Sequence, residues 1–155
     1  MLVRKVMRKK VVTLKPTDTL ERALSLLVLH DISGAPVVDK GHVVGMVTES
    51  DIIKCIDAYN PKLHFDHETS FAVVYAVLKS KKEFEAVRKE VVGNEKICVG
   101  DFMQREVITI GPDEDIYTAA RLINKHDVKR LPVVDRCGHL VGIIARADII
   151  RALAK

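Results

Sequence analysis

The chain has 155 residues, 48% hydrophobic and 30% charged; this is enough apolar material for one core of single-domain size and enough charge to solvate its surface, which excludes a wholly disordered chain. A net charge of +4, from 25 basic and 21 acidic residues, favours anions but does not by itself specify nucleic acid. The apolar runs at 26–29 and 71–78 are far shorter than the roughly 18 residues of a membrane span, and Cys55, Cys98 and Cys137 lack the spacing of a disulfide framework or zinc knuckle, so the expected location is the cytoplasm, with no membrane contact.

In chain order, an extended segment at 11–14 ends at the turn containing Pro16. Asp18 with Glu21 three places on predicts a capping box, and Leu20, Ala23, Leu24, Leu27 and Val28 recur at helical spacing. A β-branched apolar strand at 35–38, a turn at Gly41, a second strand at 43–48 and a helix starting near Asp51 follow. After an insert, the pattern returns: extended segment 107–110, a helix carrying Ile116, Ala119, Ala120 and Ile123, strands 131–134 and 140–145, and a helix from Asp148.

The return is a sequence repeat. A shift of 96 places lays Met7-Arg8-Lys9-Lys10-Val11-Val12-Thr13 on Met103-Gln104-Arg105-Glu106-Val107-Ile108-Thr109 and Pro36-Val37-Val38-Asp39 on Pro132-Val133-Val134-Asp135. One extra residue at Cys137 makes the shift 97, which brings Asp51-Ile52-Ile53 onto Asp148-Ile149-Ile150. The expected fold class is α+β: two β-α-β-β-α repeats, 1–54 and 98–155, each too small to bury its apolar faces alone, paired about a pseudo-twofold axis. The intervening 55–97 is expected to be a helical insert. It has a turn at Asn60-Pro61 and helical faces Phe71, Val74, Leu78 and Phe84, Val87, Val91, out of phase across 79–82, so two short helices or one bent helix fit.

Ile32-Ser33-Gly34-Ala35-Pro36-Val37-Val38-Asp39 and Gly45-Met46-Val47-Thr48-Glu49-Ser50-Asp51, with Val128-Lys129-Arg130-Leu131-Pro132-Val133-Val134-Asp135 and Gly142-Ile143-Ile144-Ala145-Arg146-Ala147-Asp148 in the second copy, resemble the tandem cystathionine-β-synthase (CBS) domain pair, or Bateman module. The resemblance covers about two thirds of the chain and omits the insert. It implies a sensor that binds an adenosine-containing ligand, such as AMP, ATP or S-adenosylmethionine, in a cleft between repeats, without a cofactor and often as a homodimer that regulates a partner protein.

Thr48-x-x-Asp51 has two readings: an ordinary helix cap, or a carboxylate that accepts ribose hydroxyls with Thr48 holding it. The resemblance favours the second. It also implies that Lys129 and Arg130 face the ligand's phosphates opposite Ser33 and Gly34, where a planar fork and a point charge suit a phosphate chain. The adenine slot of the first site would use Val12, Thr13, Ile32 and Pro36, with Ala35 also part of that site. The second site would use Ile108, Val128 and Asp148, weakened because Ala145 stands where the first copy has Thr48.

The cluster His64-Phe65-Asp66-His67-Glu68 has metal-like composition but no further ligands in a matching pattern, so no metal is expected. No phosphate loop or nucleophile motif is present, so no enzyme is expected. The competing function is a nucleic-acid-associated regulator using Arg8-Lys9-Lys10 and Lys79-Ser80-Lys81-Lys82, although aromatic residues do not interleave these clusters.

Overall fold

A computed structural model describes residues 1–59 and 96–155. The expected turn at Asn60-Pro61, the helical pattern of the insert, the His64 cluster and the basic run 79–82 lie outside the described residues. The element order is α1 (Val3–Val6), α2 (Leu20–Leu29), β1 (Gly34–Asp39), β2 (His42–Thr48), α3 (Glu49–Tyr59), α4 (Val99–Phe102), α5 (Ile116–Lys125), β3 (Arg130–Val134), β4 (Leu140–Ala145) and α6 (Arg146–Leu153).

The apolar spacing of α2 buries Leu20, Ala23, Leu24, Leu26 and Leu27, and that of α5 buries Ile116, Ala119 and Ile123. The cap of α2 lies one residue beyond the expected one. Thr19, in an extended conformation, accepts from the Arg22 amide at 3.1 Å through Oγ1, whereas Asp18 accepts from the Lys15 amide at 2.8 Å and closes the preceding turn. Asp115 caps α5 by accepting from the Thr118 amide at 2.9 Å. Both serve the same need, since the first amides of a helix have no partner within it.

Among the described residues, two antiparallel hairpins form, β1 with β2 and β3 with β4, each with a register shift, at Val37/Val38 and at Val133/Val134. The extended segment that opens each expected unit contracts to a single parallel bridge, Leu14 with Val37 and Ile110 with Val133. In the first copy, the Leu14 amide donates to Pro36 O at 3.0 Å and the Val38 amide to Leu14 O at 2.8 Å. Beyond this point Pro16 has no amide to continue the ladder.

The residues ahead of that bridge are committed elsewhere. Arg8 pairs with Ile143 of β4, and the Val3 amide donates to Glu114 O at 2.8 Å. Symmetrically, Gln104 pairs with Met46 of β2, and the Leu20 amide donates to Ile97 O at 3.0 Å. Each repeat thus lends its leading segment to the other. One core unites Leu14, Leu27, Val37, Val47 and Ile52 with Ile97, Val99 and Met103; the other unites Ile116, Leu131, Val133 and Ile144 with Val3, and Val6 and Met7 pack against it. The crossing requires close approach. A Cβ at Gly45 would lie 2.5 Å from Met103 Sδ, and one at Gly142 would lie 2.5 Å from Met7 Sδ. At the hairpin tips His42 bridges His139, and the Leu140 amide donates to Gly41 O at 3.0 Å.

Candidate functional site

The Thr48–Asp51 pair sits where β2 turns into α3. Asp51 Oδ2 accepts from the Thr48 amide at 2.8 Å and from Thr48 Oγ1 at 2.9 Å, which makes the pair a helix cap. The cap uses one carboxylate oxygen. The other, Oδ1, accepts from Gln104 Nε2 at 2.9 Å, and Gln104 is exposed. Asp51 itself is only 7% exposed, so its charge is held in place by three donors, one of which reaches in from the other repeat's leading segment. A carboxylate oxygen has two acceptor sites, and displacement of a surface amide frees more. The two readings of Thr48-x-x-Asp51 are therefore compatible in this geometry: one oxygen caps the helix while the other faces the repeat junction.

Arg130 crosses that junction. Its Nη2 donates to Ser33 Oγ, and its Nη1 occupies the space that a side chain at Gly34 would fill. Gly34 in turn is the register partner of Thr48. The cation from the second repeat and the carboxylate from the first are thus linked through one strand pair. Burial pushes the Arg130 guanidinium below its usual pKa, and Glu49 nearby opposes that shift; an arginine nonetheless keeps its charge. Lys129 is exposed beside it, with its carbonyl accepting from the Arg146 amide at 3.1 Å.

The residues expected around adenine divide by burial. Ala35 is fully enclosed in the first core and Pro36 is buried opposite Met46 in the hairpin. Val12 and Ile32 are partly buried against that core, and Thr13 is exposed. In the second copy Ile108 and Val128 pack partly buried against the second core.

Asp148, 6% exposed, repeats the cap geometry: Oδ2 accepts from the Ala145 amide at 2.9 Å, with no hydroxyl to reinforce it. Its Oδ1 accepts from Arg8 Nε at 3.1 Å and Nη2 at 2.9 Å, and Arg151 Nη2 stands 3.5 Å away. Where Asp51 meets a neutral amide, Asp148 is neutralised by a two-pronged arginine. In the sequence Arg8 stands out only as part of a basic cluster. The signal was available in the repeat register, which sets Arg8 on Gln104 just as it sets Asp148 on Asp51.

A family model described as CBS domain matches residues 3–58 and 99–155. The chain is 38% identical over 154 residues to protein MJ1426 of Methanocaldococcus jannaschii, covering 99% of this chain and 91% of the relative. It is 34% identical over 139 residues to the chloroplastic CBS domain-containing protein CBSX1 of Arabidopsis thaliana, covering 89% of this chain and 57% of the relative. Among solved structures, CBSX2 in complex with AMP superposes with a TM-score of 0.70 at 28% identity, covering 99% of this chain and 96% of that one. The CBS domain pair of protein MJ0100 in complex with 5′-methylthioadenosine and S-adenosyl-L-methionine gives 0.69 at 25% identity, with coverage of 99% and 96%.

Proposed function

The chain belongs to the CBS domain family, as a tandem pair, and from that premise we propose that it is a non-catalytic regulatory module that takes an adenosine-containing nucleotide into the junction between its repeats. The observation that carries this reading is the placement of Arg130, a second-repeat cation, against Ser33 and Gly34 beside the Thr48–Asp51 pair of the first repeat. Asp51 Oδ1 would accept the ribose hydroxyls as Gln104 yields, Arg130 and Lys129 would face the phosphates, and Val12, Thr13, Ile32 and Pro36 would flank the base. CBSX2 with AMP and the MJ0100 pair with S-adenosyl-L-methionine support the ligand class. Two cations at the phosphate end favour AMP or ATP over the positively charged sulfonium.

Asp51 is the preferred site. Asp148 has no hydroxyl partner and already holds Arg8, so a second ligand there must displace a charge-assisted contact. Regulation follows from differential affinity: a nucleotide that spans Asp51 and Arg130 stabilises the arrangement of repeats that sets them at the right separation. We place the module in the cytoplasm as a homodimer, with exposed Leu29, Ile150 and Leu153 supplying apolar surface. The nucleic-acid alternative is weakened by Arg8, whose charge is spent within the fold on Asp148.

The test is thermal unfolding of the full chain with AMP, ATP, S-adenosylmethionine or a duplex oligonucleotide. A ligand at about 100 times its Kd stabilises the folded state by about 2.7 kcal/mol, a shift of about 5–10 °C for a domain of this size. AMP or ATP should give that shift. A response confined to the oligonucleotide, falling steeply with salt, would overturn the reading.

A further inference from the structure

The one-residue difference between the two copies falls at a hairpin tip. The first copy turns through Lys40 (φ 49°) and Gly41 (φ 83°), a two-residue turn of the type that suits a twisted hairpin. The second inserts Cys137, giving Asp135-Arg136-Cys137-Gly138-His139. In that longer turn Asp135 Oδ1 accepts from the Cys137 and His139 amides, both at 2.9 Å. The turn therefore needs only one of the two carboxylate oxygens. Oδ2 is left 3.5 Å from His139 Nδ1, and the ligand atoms of Asp135, Cys137 and His139 all lie within 4.8 Å of one another.

We propose that Asp135, Cys137 and His139 form a three-ligand site for a thiophilic divalent cation of the zinc type. The spacing fits the ion. Nitrogen and oxygen ligands bound at about 2.0–2.1 Å in tetrahedral geometry stand about 3.3 Å apart, close to the 3.5 Å between Asp135 Oδ2 and His139 Nδ1, and the Cys137 sulfur lies within 4.8 Å of both on an exposed side chain. The supports are also in place. The Cys137 and His139 amides fix the Asp135 carboxylate through Oδ1 and leave Oδ2 turned toward His139. The ring of His42 from the first repeat packs against His139 with centroids 4.4 Å apart, limiting the imidazole's rotation. Such contacts behind the ligands orient them for the ion. Thiolate and imidazole together select zinc-like ions over magnesium or calcium, and three protein ligands leave a fourth position for water.

This site lies at the end of the β3–β4 hairpin opposite Arg130, so its test is separate from that of the nucleotide reading. Titration of the reduced full chain with Co²⁺ should give a tetrahedral visible spectrum with a thiolate-to-cobalt charge-transfer band saturating at one equivalent, which Zn²⁺ bleaches and Mg²⁺ does not. Cys137→Ser should remove the band, and Asp135→Asn, which keeps the turn acceptor, should weaken binding at least tenfold. His139→Gln should weaken it similarly. Cys137 is exposed at a loop tip, so unchanged thermal unfolding of Cys137→Ser checks its fold. No charge-transfer band at one equivalent, or a band that survives Cys137→Ser, would overturn the proposal.

Discussion

Asp51 and Asp148 occupy equivalent places, yet their free oxygens meet different groups: the Gln104 amide in one case and the Arg8 guanidinium in the other. The acidic residues could be read from sequence because an aspartate three places after a strand end is a recognisable cap. Their partners are not legible within either copy alone, because each comes from the other repeat's leading segment; the repeat register shows only that Arg8 and Gln104 are equivalent. Arg8→Ala removes the two-pronged partner of the buried Asp148 carboxylate and leaves Arg151 at 3.5 Å; since Arg8 is half-exposed and water can replace it, the expected cost is about 1 kcal/mol, measured by urea unfolding, and Gln104→Ala should cost less. Cys55 provides a second residue-level check. Burial, aided by the Asp101 charge, pushes its thiol up to about 11 from 9.0. A raised folded pKa means that its contribution to stability is fully present below the unfolded value of 9.0 and is lost as pH rises through about 11. The stability difference between the native chain and Cys55→Ala should therefore shift across that window and stay flat below it. At pH 8 a thiol reagent should modify exposed Cys137 rapidly and Cys55 only on unfolding.

At the scale of elements, the strands and long helices were legible because each buries one regular face. Residues 140–145 form β4 as read, and the apolar faces of α2 and α5 are buried as read except Val28 and Ala120, which are half-buried, while Leu26 joins the core unannounced. Two local features were not legible. The cap of α2 is Thr19 rather than Asp18 because Asp18 is drawn back to the Lys15 amide; adjacent residues with equivalent chemistry cannot be ranked by composition. Thr19→Ala should accordingly cost about 1 kcal/mol in denaturant unfolding, with the helical content of α2 lowered. The opening extended segments contract to single bridges because their upstream residues pair with the opposite repeat, a competition invisible to a local window.

At the scale of the whole molecule, Val3 and Met103 are apolar in sequence, but nothing local tells which core receives them. The exchange puts Val3 among Ile116, Leu131 and Ile144, more than a hundred places away in sequence. Val3→Ala should destabilise the fold by about 2 kcal/mol, and hydrogen exchange should show loss of protection first in α5, β3 and β4, not in the neighbouring α2. The candidate site is composite as well, with carboxylate and cation drawn from different repeats. Calorimetric titration of the full chain with AMP tests this most directly. The expected result is one AMP per chain, with affinity reduced at least about tenfold by Asp51→Ala and likewise by Arg130→Ala, as loss of a charge-assisted hydrogen bond implies, while Asp148→Ala binds nearly as well as the native chain. AMP binding unchanged by both Asp51→Ala and Arg130→Ala, or abolished by Asp148→Ala alone, would contradict it.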